Sequence, residues 1–184
     1  MKKGKLIIYT GCSGVGKGTI MQELLALDDT VRLSVSCTTR QPRPGEVDGV
    51  NYFFIDKAEF EDLISKDGFL EYAQYCGNYY GTPLKAVEDM LDEGLNVFLE
   101  IEVQGGMQVM EKRPDALSIF IIPPSVEELE NRLRGRATED EKTILERLAC
   151  VEKEMEFAKH YQYSVLNDTP QRAAKEILDI IHNI

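Results

Sequence analysis

The chain has 184 residues, a formal charge of −11, 43% hydrophobic residues and 29% charged ones. That length and balance describe one water-compatible globular domain with room for lobes, and no apolar run nears the ~20 residues of a membrane span. So acidic a chain repels nucleic-acid backbones and anionic lipid surfaces, which excludes nucleic acid and membrane as general partners.

Residues 5–10 carry the apolar run Leu6-Ile7-Ile8-Tyr9 and read as a buried strand. The basic start Met-Lys-Lys-Gly-Lys mimics the head of a signal peptide. The apolar part is too short for one and runs into a glycine-rich turn, so a cytoplasmic location is expected. The turn, residues 11–19, reads Gly-Cys-Ser-Gly-Val-Gly-Lys-Gly-Thr, and a helical pattern covers residues 17–27. A strand, a glycine-rich turn and a helix in this order make a phosphate-binding loop. Gly11, Gly14 and Gly16 let the backbone curve around an anion, and Cys12, Ser13, Val15 and Gly18 add N–H groups to the wall. Lys17 brings a point charge to the β- and γ-phosphates, at the positive end of the helix. Position 18 is Gly and the hydroxyl follows at Thr19. This G-K-G-T form is similar to that of nucleoside monophosphate kinases, which implies Thr19 near Mg2+ and the phosphates. The four cysteines form no CxxC pair and the two histidines complete no metal cluster, so reduced thiols are expected. Cys12 sits inside the loop, where N–H groups and Lys17 are expected to lower its pKa.

Residues 31–36 read as a strand, and residues 37–55 as an irregular stretch ending in the strand-like 51–55. Asp56 with Glu59 forms a capping box for a helix to about residue 66, stopped by Gly68. Residues 69–80 read as two strands turned at 76–78. Thr82 is expected to cap a helix with Pro83 at its first position and Gly94 past its end. Val97, Leu99, Ile101 and Val103 alternate as a strand before a helix to about residue 112. Residues 117–122 form another apolar strand. Ser125 with Glu128 opens a helix to about residue 134, and Thr138 with Glu141 opens a long one to about residue 160. Residues 163–166 make a last strand, and Thr169 with Pro170 starts a closing helix carrying Ala173, Ala174, Ile177, Leu178 and Ile181. Apolar strands alternating with helices predict an α/β fold, a parallel sheet with helices on both faces and ligands beyond the carboxyl ends of the strands. Residues 34–82 read as an inserted mixed-strand lobe and 125–150 as a helical lid, leaving 4–33, 83–124 and 151–184 as the core.

Six of the nine arginines fall in two groups, Arg40 with Arg43, and Arg132, Arg134, Arg136 and Arg147. An acidic chain that concentrates arginine in this way holds small phosphates. By spacing alone, the second group equally fits a solvated, salt-bridged helix face. The segment Ser36-Cys37-Thr38-Thr39-Arg40-Gln41-Pro42-Arg43-Pro44-Gly45-Glu46 is followed by Asn51-Tyr52-Phe53-Phe54, Phe69-Leu70-Glu71-Tyr72-Ala73 and Asn78-Tyr79-Tyr80-Gly81-Thr82-Pro83. Then come Leu99-Glu100-Ile101-Glu102-Val103-Gln104-Gly105, Arg132-Leu133-Arg134-Gly135-Arg136, Arg147 and Asn167-Asp168. In order and spacing, from about residue 5 to 182, these motifs resemble the guanylate kinases, a family with a P-loop NTPase core.

The resemblance implies transfer of the ATP γ-phosphoryl group to GMP with Mg2+ as cofactor, and a role for each matched residue. Arg40 and Arg43 clasp the GMP phosphate with Tyr52 and Tyr80. Glu71 accepts the adjacent guanine donors, with Ser36 and Thr82 completing the base pocket. Gly11 to Thr19 hold ATP, and Lys17, Arg132, Arg136 and Arg147 neutralise the transferring charge, with Arg134 solvated. Asn167 touches the adenine. Glu100 and Glu102 replace aspartates that the family usually shows; the strand end is tied to water-mediated metal contact, and Glu102 to GMP. Two alternatives stay open: a non-catalytic guanylate-kinase-like binding module, and a kinase for another small monophosphate. The intact loop and lid arginines argue against the first, and the Ser36, Glu71, Thr82 set against the second. Two-fold pairing is the common arrangement for enzymes, but no apolar face is legible to assign it.

Overall fold

The structure, a computed structural model, describes residues 3–75, 77–135 and 141–183. In chain order the elements begin with β1 (Leu6–Gly11), α1 (Lys17–Leu27), β2 (Val31–Leu33), β3 (Cys37–Thr38), β4 (Phe53–Phe54) and α2 (Lys57–Ser65). They continue with β5 (Phe69–Tyr75), β6 (Asn78–Pro83), α3 (Leu84–Asp92), β7 (Asn96–Glu100), α4 (Val103–Lys112) and β8 (Leu117–Ile122). The last are α5 (Val126–Gly135), α6 (Glu141–Phe157), a 3-10 turn, β9 (Tyr163–Leu166) and α7 (Pro170–His182).

β1 is the centre of a five-stranded parallel sheet of order β2-β7-β1-β8-β9. All six of its residues are buried, which is why its first four form a continuous apolar run and not an alternating one. Ile7, Ile8, Tyr9, Phe98, Leu99, Ile119, Phe120 and Ile121 are wholly buried, and α1, α3, α4 and α7 flank them. A second sheet of order β4-β3-β6-β5 mixes parallel and antiparallel pairing. Its own small core is Cys37, Phe60 and Phe69, with the Phe60 ring stacked on Phe69 at 4.4 Å and on Tyr79 at 5.1 Å. No helix among the described residues is long and apolar enough to cross a membrane.

Several element ends differ from the sequence reading. β2 stops at Leu33, and Cys37–Thr38, inside the stretch expected to be irregular, pairs between β4 and β6. β7 stops at Glu100, and Val103 is the first residue of α4 instead of a strand residue. Thr82 is no helix cap: β6 runs through Pro83, α3 starts at Leu84, and the Thr82 hydroxyl is engaged elsewhere. After α2 the left-handed residue is Asp67 (φ 51°), not Gly68, whose N–H closes the helix on the Leu63 carbonyl at 2.8 Å. Local caps were more legible. Asp56 accepts the Glu59 N–H at 2.8 Å, and Ser125 the Glu128 N–H at 3.0 Å. Thr138 lies outside the described residues.

Candidate functional site

The glycine-rich loop leaves the carboxyl end of β1 and turns into α1 at Gly16, whose φ of 98° is left-handed. A side chain there is excluded twice, by that φ and because a Cβ would lie 2.6 Å from the Asn167 amide. Asn167 is 2% exposed and sits beneath the loop, donating to the Val15 carbonyl at 2.7 Å. The Tyr9 hydroxyl, buried under β1, donates to the Lys17 carbonyl at 3.0 Å. The loop is thus braced by an amide and a phenol.

Lys17 turns its ammonium onto the loop, donating to the carbonyls of Gly11 at 2.8 Å and Cys12 at 3.3 Å. Desolvation lowers its pKa, while the nearby carboxylates of Glu100 and Glu154 act the other way. The Ser13 N–H donates to Glu154 of α6 at 3.2 Å. Thr19 is exposed at the start of α1, and Gly18 beside it faces open space. The expectation for Cys12 is reversed. Its thiol is wholly buried, and burial with the Glu154 charge pushes it up to about 11, beyond what Lys17 restores.

Across the cleft, a cavity of about 380 Å³ is lined by Ser36, Tyr52, Glu71 and Tyr80 from the small-sheet side and by Glu100 and Glu102 from the end of β7 and the start of α4. Glu71 is 7% exposed and opposite Thr82 in the β5–β6 pair. The register shifts between Phe69 and Glu71, so that one extra residue on β5 brings Glu71 directly across from Thr82. The Thr82 hydroxyl donates to Glu71 Oε1 at 2.6 Å. Burial raises the Glu71 pKa, more than the Thr82 bond lowers it. The other oxygen has room because position 105 lacks a side chain: a Cβ there would lie 2.9 Å from Oε2. Glu100 opens on the cavity yet is crowded enough by protein that desolvation raises its pKa, with Lys17 opposing. Glu102 takes the N-cap position of α4 without capping it through its side chain.

Arg40 stands over the rings of Tyr52 at 5.6 Å and Phe54 at 5.8 Å. Its Nη2 pairs with Glu46 at 2.8 Å, and its Nη1 donates to the Gln41 carbonyl at 2.7 Å. Glu46, and after it the Tyr80 hydroxyl, raise the Arg40 pKa. Arg43 is exposed, and its backbone N–H donates to Glu46 at 2.7 Å. In α5, Arg134 is exposed and paired with Glu130 and Glu141, which is the salt-bridged helix face the spacing allowed. Arg136 lies outside the described residues, as do the side chains of Arg132 and Arg147.

Sequence reasoning passed over Glu46, Glu154 and Gly105. Glu46 carried a local signal, because it closes a Pro-Gly turn three residues after Arg43. Gly105 stood at the end of a motif quoted for the resemblance but without a role, and Glu154 carried no signal, since its partner is distant in the chain.

Among the described residues no three His, Cys, Asp or Glu side chains cluster as a metal site. The described residues thus bring together a glycine-rich turn with a lysine folded onto it, an Arg40 guanidinium beside two rings and a carboxylate, and a desolvated Glu71 in the cavity wall.

Known proteins are similar to this chain over nearly its whole length. The family model described as guanylate kinase matches residues 3–184. A guanylate kinase of Clostridioides difficile (strain 630) is 52% identical over 181 residues, 98% of this chain and 88% of that one. One of Streptococcus pyogenes serotype M3 (strain ATCC BAA-595 / MGAS315) is 50% identical over 98% of this chain and 86% of its own length. Among solved structures, guanylate kinase from Anaplasma phagocytophilum superposes with a TM-score of 0.75 at 34% identity, covering 99% of this chain and 86% of that chain. Shikimate kinase from Bacteroides thetaiotaomicron superposes with a TM-score of 0.52 at 16% identity, covering 97% of this chain and 98% of that chain, a likeness of fold alone.

Proposed function

The chain belongs to the guanylate kinase family and transfers a phosphoryl group from ATP to GMP, and on that premise we propose which of its residues do the work. ATP phosphates lie in the loop Gly11 to Thr19, where the amides and the Lys17 ammonium take their charge. Their arrival replaces the Gly11 and Cys12 carbonyls as partners of Lys17. Asn167 serves ATP through the loop it braces. The GMP phosphate lies between Arg40, Arg43, Tyr52 and Tyr80. Guanine lies against Glu71, Ser36 and Thr82, with Glu102 at its edge.

The observation that carries this reading is the buried, ionisable Glu71 bonded to Thr82 in the wall of the cavity. Guanine N1–H and the 2-amino group are adjacent donors that one carboxylate can accept together. Adenine lacks that pair and would leave the desolvated Glu71 with the Thr82 hydroxyl alone, a mismatch worth roughly 10⁴-fold in selection.

In the reaction an oxygen of the GMP phosphate attacks the γ-phosphorus, and the bond from that phosphorus to the β,γ-bridging oxygen breaks. ADP leaves with the electron pair. The acceptor phosphate has a second pKa near ~6 and is already ionised at neutral pH, so no general base is required. Positioning, charge neutralisation and exclusion of water supply the rate. Arg132, Arg136 and Arg147 neutralise the transferring group as the lid, residues 125–150, and the lobe, residues 34–82, close on the core.

Mg2+ fits the residues at hand. Thr19 offers an exposed hydroxyl, and Glu100 a carboxylate raised by desolvation, hard oxygen donors of the kind this ion takes when nucleotide phosphates supply the rest. Bound there, it would neutralise charge on the β- and γ-phosphates. We place the enzyme with its nucleotides in the cytoplasm.

The test is an ADP-release assay offering GMP, dGMP, AMP, UMP and CMP in turn. GMP is expected to be used far above AMP, UMP and CMP in wild type, and Glu71→Ala to cut kcat/KM for GMP while leaving KM for ATP within about twofold. An equal loss for both nucleotides would remove Glu71 from the base pocket.

A further inference from the structure

Arg40 and Arg43 are three residues apart on a loop without regular structure, and both must face one phosphate. Something has to aim them. The segment Arg43-Pro44-Gly45-Glu46 has Pro then Gly at its centre, Gly45 at φ 88° and a Glu46 N–H to Arg43 carbonyl bond of 3.0 Å, the features of a type II turn. This turn reverses the chain and brings the Glu46 side chain back over the segment it came from. One oxygen, Oε2, then accepts the Arg43 backbone N–H at 2.7 Å, and the other, Oε1, pairs with Arg40 Nη2 at 2.8 Å. The carboxylate therefore ties the two arginine positions to each other. The ion pair is largely shielded from solvent, with side-chain exposures of 20% for Glu46 and 15% for Arg40.

We propose that Glu46 is the positioning residue of the GMP-phosphate cradle: it locks the Arg40 guanidinium against Tyr52 and Phe54 with its remaining N–H groups facing the cleft. Donor counting supports a tether that persists with ligand. A guanidinium has five N–H donors. Glu46 and the Gln41 carbonyl take two, and the Tyr80 hydroxyl engages the group as well. At least two donors remain, the number a phosphate takes in a fork. The aromatic rings fix the plane of the group and Glu46 fixes its rotation within that plane. Without Glu46, Arg40 regains its rotamer freedom and must be ordered by each incoming GMP.

The inference rests on the assignment of Arg40 to the GMP phosphate, so the experiment carries a separate control for that assignment. KM and kcat for GMP and ATP are measured for wild type, Glu46→Gln, Glu46→Ala and Arg40→Lys, with guanosine as a competitive inhibitor that lacks the phosphate. Glu46→Ala is expected to raise KM for GMP about tenfold or more, with KM for ATP and the guanosine inhibition constant within twofold. Glu46→Gln keeps an acceptor for the Arg43 N–H but loses the charge, and is expected to fall between Ala and wild type. A GMP KM that is unchanged or lowered in both Glu46 variants overturns the proposal; a lowered value would make Glu46 a competitor of the phosphate. A guanosine constant that worsens in step with GMP overturns it too, as the sign of a damaged lobe. If Arg40→Lys leaves KM for GMP unchanged, the cradle assignment itself fails, whatever the Glu46 variants do.

Discussion

The two anion-binding regions that we propose are made of different material. The loop after β1 holds charge with main-chain N–H groups, and its shape is set by glycines and by Asn167 and Tyr9 pressing from beneath. The cradle around Arg40 holds charge with side chains, and its shape is set by two rings and a carboxylate. A backbone cradle is organised before ligand arrives, because peptide geometry leaves it few alternatives. A side-chain cradle has more freedom and needs a tether. The comparison teaches where each region is vulnerable: the loop to a methyl group in the wrong place, the cradle to the loss of a neighbour that never touches substrate.

The sharpest break is at Lys17, which brings its charge to the loop through its side chain. Lys17→Met is expected to lower kcat by about 10³-fold, the scale for removing a charge that stabilises transfer, with an unchanged circular dichroism spectrum. A variant that keeps full activity would contradict the loop assignment. Next is Glu71→Ala, for which kcat/KM toward GMP should fall by about 10²-fold while ATP use is spared.

The pH response of the base pocket follows. Burial holds the Glu71 pKa above the usual carboxylate range, and only the ionised form accepts both guanine donors. Lowering the pH through that raised value should therefore weaken guanosine inhibition, by about tenfold per unit below it. Guanosine is the right probe because the GMP phosphate titrates nearby. Glu71→Gln should flatten the profile; a slope that survives in that variant belongs to another group. The raised pKa also means that the ionised carboxylate costs the fold stability once the pH has risen past its folded pKa. In that range Glu71→Gln should raise the melting temperature while it lowers GMP use.

Gly16→Ala comes next. Its φ of 98° and the Asn167 amide 2.6 Å from the added carbon should cost about 1–3 kcal/mol and raise KM for ATP severalfold. Asn167→Gly removes both the clash and the brace to Val15, so Gly16→Ala should cost less in that background than in wild type, and an equal cost in both would mean that φ alone sets it. The smallest effect is expected at Cys12. With its thiol wholly buried and raised to about 11, alkylation at neutral pH should be slow with or without ATP, read by mass spectrometry. Fast labelling that ATP blocks would restore the lowered pKa expected of Cys12 in the loop.

The parts of this site that were legible in the chain are those whose cause is local. The loop could be read because its glycines, lysine and flanking apolar run are contiguous, and the caps at Asp56 and Ser125 because partner and donor are three residues apart. The cap expected at Thr82 was misread for the same reason. Thr-Pro is a sound helix-start signal, and nothing nearby says that Glu71, across a hairpin and beside a bulge, claims the hydroxyl instead. Val103 was misread because alternation carried past Glu100, where the sheet ends.

By itself, then, the amino-acid order determined the kind of fold, the loop and the stock of arginines and acids, since these depend on short-range periodicity and on residue chemistry. Only the folded arrangement decided which acid is buried, which arginine is held and which thiol is silenced. Desolvation, ring contacts and the room left at Gly16 and Gly105 come from atoms far apart in the chain, and burial sets their strength.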